Sequence, residues 1–311
     1  MFFKKILSMI ITILFITLIT FSVFEIIPGD PILSKLGMDA DEAQIQALKS
    51  ELDLDSPFPV RYINWLESLF KGDLGKSIRY EKPVLQMIKD RVPVTFSMAF
   101  MSIIIIILIG VPLGIISAKN NNKFIGTFIS FITQFLMSIP SFWIGIILIF
   151  LFGLIFRIFS TGGYVPWSQN PFEAFKALFL PSLAISIPSI AVITRYTKNT
   201  IIEEMNKPYT LTAYSKGIQA NKVLLKHNLR NALIPVITIL GMIIGNILGG
   251  SIIIEQVFSL PGIGRLLINA ISTRDIPLVQ GLVLYLAFIV VFINFMIDIL
   301  YVLIDPRVKT K

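Results

Sequence analysis

The chain has 311 residues and a formal net charge of +8, and 55% of its residues are hydrophobic while only 15% are charged. Soluble globular domains carry about 25% charged residues, so this composition indicates a protein whose surroundings are largely lipid. Cysteine is absent, which excludes disulfide frameworks, thiolate metal sites and cysteine nucleophiles. The single histidine, His227, has no acidic partner nearby in the sequence, and we interpret it as a surface or headgroup residue rather than a catalytic base.

Six apolar stretches are long enough to cross a bilayer core, which needs about 20 helical residues. They are 6–27, 94–118, 124–156, 177–193, 232–254 and 279–304. Within the third stretch the span itself is expected at about 130–156, and the helix of the fourth is expected to extend to 197. The first stretch is too long for the apolar region of a signal peptide and predicts a retained transmembrane helix. The fourth contains Pro181 and Pro188, which predicts a kinked helix facing protein or a water-filled cavity.

These stretches predict an all-α integral membrane protein with six transmembrane helices. Residues 1–93 comprise the first span and an outer segment, 94–304 a domain of five spans, and 305–311 a cytoplasmic tail. The outer segment 28–93 contains helix-like stretches at 40–52 and 58–70, which predict a small helical lobe. A simple tether is the alternative.

Lysine and arginine are distributed asymmetrically over the loops. With the N-terminus inside, 14 of the 27 cations lie in cytoplasmic segments and only 4 in short outer loops. Short cytoplasmic loops carry an excess of Lys and Arg, so both termini are predicted to be cytoplasmic. The other 9 cations lie in the outer segment, and segments that long translocate largely regardless of charge.

The sequence offers little that could perform chemistry. The ionisable residues of the spans, Glu25 and Asp298, lie near span ends, which argues against a proton- or sodium-coupled carrier. The tripeptide Gly75-Lys76-Ser77 resembles the end of a phosphate-binding loop, but Phe70 occupies the position of that motif's first glycine. No catalytic, cofactor or metal residues are predicted on this chain, and any nucleotide must be bound by another chain.

The loop between the fourth and fifth spans is strongly basic. From Arg195 to Arg230 it carries seven cations and two anions, with helix-compatible sequence on both sides of Gly217. Such a segment predicts a helix leaving the membrane, a short surface helix and a sharp exit at the glycine, which together form a knob for a soluble partner. An anchor lying in the lipid headgroups explains the same charges equally well.

Two motifs in this loop carry a resemblance to a known family. The segments are Thr212-Ala-Tyr-Ser-Lys-Gly217 and His227-Asn-Leu-Arg-Asn-Ala-Leu-Ile-Pro235. They resemble the B-type permease subunits of bacterial ABC importers of the dipeptide, oligopeptide and nickel group, although Leu211 and Tyr214 stand where that family often has arginine. Further segments resemble the family's signatures in the same order: 27–31, 72–77, 91–95, 139–143, 255–264, 274–277 and 305–307.

The resemblance implies a type I importer permease in a bacterial cytoplasmic membrane. A coupling helix around 208–217 would dock on an ATPase through Pro208, Tyr209, Thr212, Ala213, Lys216 and Gly217. The implied partners are a second homologous permease, two P-loop ATPase subunits that hold ATP and Mg, an extracytoplasmic substrate-binding protein or lipoprotein, and membrane lipid, with no nucleic acid. The chain itself would be a transport subunit and not an enzyme.

Two further residue sets are predicted. The outer gate and seat for the binding protein would comprise Glu255, Pro261, Gly262, Gly264, Arg274 and Asp275, although a purely structural turn fits these residues almost as well. Serines that could line a pathway are Ser138, Ser141, Ser182, Ser186 and Ser189, and packing between helices explains the same small residues about as well.

The predicted function is to form half of the membrane pathway for dipeptides and oligopeptides in an ATP-driven importer. A nickel or metallophore importer of the same family is one alternative. A channel or membrane scaffold that works without an ATPase is an alternative of another class.

Overall fold

The computed structural model describes residues 2–26, 41, 46, 56–160 and 162–304. Within these residues it contains eleven α-helices: α1 (Phe2–Ile26), α2 (Phe58–Phe70), α3 (Val84–Lys119), α4 (Phe124–Met137), α5 (Ser141–Leu148), α6 (Pro171–Met205), α7 (Pro208–Ser215), α8 (Ala220–Lys222), α9 (Leu229–Val257), α10 (Ile263–Ser272) and α11 (Ile276–Ile304). Two π-helical segments, Ile149–Ile155 and Val223–Asn228, follow α5 and α8. The predicted all-α class is confirmed, and α2 has the bounds predicted for a lobe helix. The motifs 27–31 and 305–307 lie outside the described residues, as does the predicted helix 40–52 apart from residues 41 and 46.

Five of the described helices are long and apolar enough to cross a membrane, and a sixth span arises if α4 and α5 with its π-helical extension count as one. This third span is broken, because its two halves are bent by 99° around Ser138–Pro140. The sequence predicted an uninterrupted run here. Pro140 explains the difference, since it cannot donate a helical hydrogen bond and disfavours helical geometry in the residue before it.

The fourth apolar stretch, predicted to be a kinked helix, corresponds to α6, which runs without interruption through Pro181 and Pro188. Its most apolar window is 61% buried, whereas that of α1 is only 6% buried. A helix that is apolar and buried needs neighbours on most sides, so α6 is the central helix of its unit. Most apolar side chains between residues 5 and 23 of α1 are exposed, as expected of a helix that contacts lipid.

The chain divides into two compact units. The first comprises Met1–Pro93 with Pro261–Phe292, and the second Val94–Leu260 with Ile293–Lys311. The predicted domain boundary near residue 93 stays a prediction.

In the first unit, an aromatic cluster joins the lobe helix α2 to the end of α1. The ring centroid of Phe21 lies 5.3 Å from that of Phe58 and 5.5 Å from that of Tyr62. The hydroxyls of Thr17 and Tyr62 lie 3.0 Å apart. Aromatic pairs of this kind contribute about 0.5–1.5 kcal/mol each beyond their buried area, so the cluster fixes α2 against α1.

In the second unit, α3 and α6 pack closely at two glycines. A Cβ added to Gly114 would lie 2.5 Å from the Cβ of Thr197, and one on Gly110 would lie 3.0 Å from Ile193 Cγ2. The hydroxyl of Thr194 donates to the carbonyl of Gly110 over 3.2 Å. The G-x-x-x-G spacing therefore lets the two backbones approach, as small residues do between membrane helices.

Candidate functional site

The basic loop, residues 195–230, includes the last part of α6 and the short helix α7, which covers the segment predicted to be a surface helix. Its end is fixed by Gly217, whose φ of +76° lies in the left-handed region. The N–H of Ile218 donates to the carbonyl of Ala213 over 3.3 Å, and that of Gly217 to the carbonyl of Tyr214 over 2.9 Å. These two bonds form a Schellman motif, which ends the helix and turns the chain away at a defined angle.

One face of α7 is buried in the second unit and the other is open. Ala213 is 6% exposed and Thr210 is fully buried, so the small size of Ala213 is explained by packing within its own chain. The open face carries Leu211, whose exposed fraction is 62%. Leu211 was not among the residues predicted to dock; of those, Pro208, Thr212, Lys216 and Gly217 are exposed and Tyr209 is half-buried.

A polar cluster centred on Glu204 holds the start of α7. Glu204 is only 8% exposed. Its carboxylate accepts hydrogen bonds from the ammonium of Lys207 and the hydroxyl of Tyr209. The side-chain amide of Asn231, on α9, donates to the Tyr209 hydroxyl over 3.2 Å. The cluster therefore connects the end of α6, the start of α7 and the start of α9 through side chains.

Hydrogen bonds of the Thr210 hydroxyl hold the buried face of α7. The hydroxyl of Thr210 lies 2.8 Å from the carbonyl oxygen of Glu204 and 2.9 Å from the side-chain amide of the buried Asn228. A hydroxyl carries only one proton. Both contacts are hydrogen bonds if the amide turns its Nδ2 to Thr210, and this orientation also gives the otherwise unsatisfied Nδ2 a partner.

Lys207 and Tyr209, which follow the end of α6, both have raised pKa values. The hydrogen bond to Glu204 raises the pKa of Lys207 above its ordinary value. Burial, and then the hydrogen bond to Glu204, raise the pKa of Tyr209. Both groups therefore keep their protons, and the cluster keeps its hydrogen bonds, throughout the neutral range.

Two regions contain the residues predicted for the outer gate. In the second unit, Glu255 is completely buried and accepts a hydrogen bond of 2.6 Å from the hydroxyl of Thr95. This contact joins two of the motifs that the sequence analysis singled out, 91–95 and 255–264. In the first unit, Arg91 donates to the carbonyl of Pro261 over 3.4 Å, and α10 begins two residues later at Ile263. Gly262 and Gly264 are both buried.

Asp275 is the most heavily bonded residue of the first unit's predicted gate. One carboxylate oxygen accepts from the Ser77 hydroxyl over 2.5 Å and from the N–H of Arg79 over 3.2 Å. The other accepts from the N–H of Ile78 over 3.1 Å and from that of Leu278, in the first turn of α11, over 3.4 Å. The segment that resembles a phosphate-binding loop thus ends on a buried carboxylate, and its serine has a structural partner.

Arg274 precedes this carboxylate in an unusual conformation. Its φ of +54° is left-handed, and its N–H donates to the carbonyl of Ile271 over 3.1 Å in a second Schellman motif. Glycine is the usual residue at such a position because a Cβ is unfavourable there. The side chain of Arg274 is exposed, so the chain places an arginine where local conformational energy favours glycine.

The predicted pathway serines fall into two groups. Ser182 and Ser186 are completely buried. The hydroxyl of Ser182 donates to the carbonyl of Met98 on α3 over 3.2 Å, and that of Ser186 lies 2.6 Å from the carbonyl of Ser182 in its own helix and 3.2 Å from that of Ser102 on α3. Both side chains lie at the contact between α3 and α6 and reach no surface in this conformation, and their part in a pathway stays a prediction. The serines that retain exposed surface are Ser138, Ser141 and Ser189.

The sequence analysis missed the residues that hold α7. Glu204, Asn228 and Asn231 were not among the predicted site residues, although a signal for the first was present. Glu203 and Glu204 are the two acidic residues of an otherwise basic loop, and Glu204 stands three positions before Lys207. An acid retained among cations indicates a specific partner. The contacts of the two asparagines depend on the return of the chain and had no local signal.

Known proteins are similar to this chain over nearly its whole length. The family model for the inner membrane component of binding-protein-dependent transport systems matches residues 110–310, and the N-terminal model of such membrane components matches residues 1–99. A putative peptide transport system permease protein of Brucella abortus is 38% identical over 306 residues, covering 98% of both chains. The oligopeptide transport system permease protein AppB of Bacillus subtilis is 36% identical, covering 94% of both.

The fold has a relative among solved structures. A chain of the methionine ABC transporter MetNI in an inward-facing conformation matches with a TM-score of 0.59, over 71% of this chain and 97% of that one. The sequence identity is 16%, so this likeness concerns the fold alone.

Proposed function

This chain belongs to the family of inner membrane components of binding-protein-dependent transport systems, and we propose that it forms half of an importer's pathway for dipeptides and oligopeptides. It is a multi-pass membrane permease, a transport subunit whose family works with a separate ATPase and a binding protein. The peptide substrate is supported by relatives named as peptide permeases that match nearly the whole chain. A nickel or metallophore substrate has no comparable support.

The observation that carries the proposal is the mounting of α7. Its open face presents Leu211 and Lys216, while its start is fixed to α6 and α9 by the Glu204 cluster. A permease cannot generate the free energy that separates its inward- and outward-open states, and a partner must supply it by binding the two states differently. A rigidly mounted surface helix suits this task, because movement of the helix is passed directly to the helices that carry it.

The assembly follows from this assignment. Of two P-loop ATPase subunits, which hold ATP and Mg, one would dock at α7 through the open residues. A second homologous permease would complete the pathway, and a substrate-binding protein or lipoprotein would deliver the peptide on the outer side. The excess of cations in the loops on the side of α7 supports an orientation in which this loop and both termini are cytoplasmic.

On the outer side, the turn at Pro261 and Gly262 and the exposed Arg274 would contribute to the gate and to the seat of the binding protein. The buried Glu255 and Asp275 would position these elements rather than touch a partner. Ser138, at the break between α4 and α5, is the most accessible of the serines proposed for the pathway, with Ser141 and Ser189 partly accessible.

The test is ATP-driven uptake of labelled dipeptides and tetrapeptides by the assembled complex in proteoliposomes. Leu211→Glu on the open face of α7 is expected to lower uptake at least tenfold, because a charge enters an apolar docking contact. Leu225→Glu is the matched control, since Leu225 is 56% exposed but lies outside α7. Uptake by the wild type that continues after ATP is removed would contradict the proposal and favour the channel.

A further inference from the structure

A cavity of about 270 Å³ lies in the first unit, between the start of α3 and the start of α10. Its lining includes three cations, Lys82, Arg91 and Arg265, and one acid, Asp90, together with the amide of Asn269. Three positive charges against one negative charge leave the lining with a net charge of +2. The cavity therefore attracts an anion.

The cations occupy complementary positions. Arg91 and Arg265 are half-buried, and Arg91 is held by its hydrogen bond of 3.4 Å to the carbonyl of Pro261. Charge–charge interactions at partly desolvated groups are stronger than in open water. Lys82 is exposed at the rim, where it can move toward an incoming group. Arg91 and Arg265 therefore offer hydrogen-bond donors inside the cavity, and Lys82 places a cation at its opening.

The openness of the cavity indicates what kind of anion it takes. Sites for small molecules enclose 70–90% or more of the ligand surface. Here the rim residues Lys82, Asp90 and Asn269 are all exposed, so a free small molecule would remain largely in water. A side chain that projects from a docked protein needs no such enclosure, because the surrounding surfaces of the two proteins exclude water around it.

We propose that this cavity receives an aspartate or glutamate side chain of the extracytoplasmic substrate-binding protein. The inference rests on the proposed function and adds the chemistry of the contact. Pro261 and Gly262, two residues predicted for the binding-protein seat, also line the cavity. The carboxylate is bound by Arg91, Arg265 and Lys82, and the repulsion from Asp90 is outweighed by the three cations.

The test measures the affinity of the labelled, full-length binding protein of the same transport system for the assembled complex in nanodiscs. Lys82→Glu is the main variant, because the side chain is exposed and its reversal disturbs no packing. Arg265→Glu is the second variant. Lys89→Glu is the matched control, since Lys89 is an exposed lysine of the same unit that does not line the cavity.

Lys82→Glu is expected to weaken docking about tenfold and to flatten its dependence on salt, whereas Lys89→Glu changes affinity less than about twofold. Equal affinity of the wild type, Lys82→Glu and Arg265→Glu complexes would overturn the inference while leaving the proposed function intact. No docking to the wild type would instead contradict the proposed function.

A transported peptide's carboxylate is the competing ligand. Titration of the dipeptide Ala-Ala into the complex without binding protein distinguishes it. If Lys82→Glu abolishes dipeptide binding but leaves docking of the binding protein unchanged, the cavity is a substrate subsite and the inference is wrong.

Discussion

Gly217 allows a test of how the end of α7 contributes to coupling. Its φ of +76° is left-handed, and a Cβ built there would meet no atom within 4 Å. Substitution therefore creates no clash within the chain, and its cost is conformational, about 1–2 kcal/mol for an ordinary residue and more for a β-branched one. A free-energy change of 1.4 kcal/mol alters an equilibrium about tenfold, which is enough to release the turn without unfolding the protein.

We expect Gly217→Val to abolish ATP-driven peptide uptake in proteoliposomes while insertion into the membrane stays normal. Gly217→Asn should keep most of the uptake, because asparagine tolerates left-handed geometry better than other side chains. Gly245→Ala is a control in α9, where the added Cβ also meets nothing but φ is ordinary. Uptake by Gly217→Val equal to that of the wild type would refute the reasoning. Equal loss in the Asn and Val variants would show that a partner surface, and not the backbone, excludes a side chain.

Three further predictions concern packing, the outer carboxylate and pH. In Gly114→Ala the added Cβ would lie 2.5 Å from the Cβ of Thr197, so the free energy of unfolding in detergent should fall by about 1–3 kcal/mol and the melting temperature should fall with it, whereas Gly245→Ala should change neither. Equal melting temperatures of the two variants would contradict the close packing of α3 and α6. Asp275→Ala leaves buried donors without an acceptor and should cost about 3 kcal/mol, with Asp275→Asn intermediate, as measured by proteolysis of the 72–83 loop; unchanged cleavage would exclude a structural role. Lys207 and Tyr209 have pKa values raised above the ordinary 10.5 and 10.0, so the stability they contribute is complete below those ordinary pKa values and declines as the pH rises through the pKa values of the folded protein. Proteolytic cleavage of the 206–217 segment should accelerate only in that alkaline range. Acceleration at neutral pH would contradict this.

Much of the fold could be predicted because lipid imposes a simple rule on sequence. Long apolar stretches must be helices, so the spans around 94–118 and 279–304 were recognisable from composition alone. Residues 58–70 combine a preceding proline with helical periodicity, and the predicted bounds of α2 agree with the structure. The break at Ser138–Pro140 was missed because apolar side chains continue through it, and hydropathy does not register a change of backbone direction.

The candidate site was only partly predictable, for a related reason. Gly217 and the turn at Pro261 depend on local geometry, which turn residues encode directly. Small polar residues such as Ser182 and Ser186 suit both a polar pathway and a helix interface, and the sequence does not show that α3 packs against them. The Glu204 cluster depends on Asn231, whose approach follows from the return of the chain through α8 and α9.

The central claim is that this chain transmits the work of a separate ATPase. The most direct test is to purify the tagged chain from native membranes in mild detergent and to identify the retained proteins by mass spectrometry. The account predicts recovery of P-loop ATPase subunits and a second permease, and loss of the ATPase subunits from Gly217→Val. Recovery of this chain alone, from a preparation shown to be intact, would contradict the account and favour a channel or scaffold.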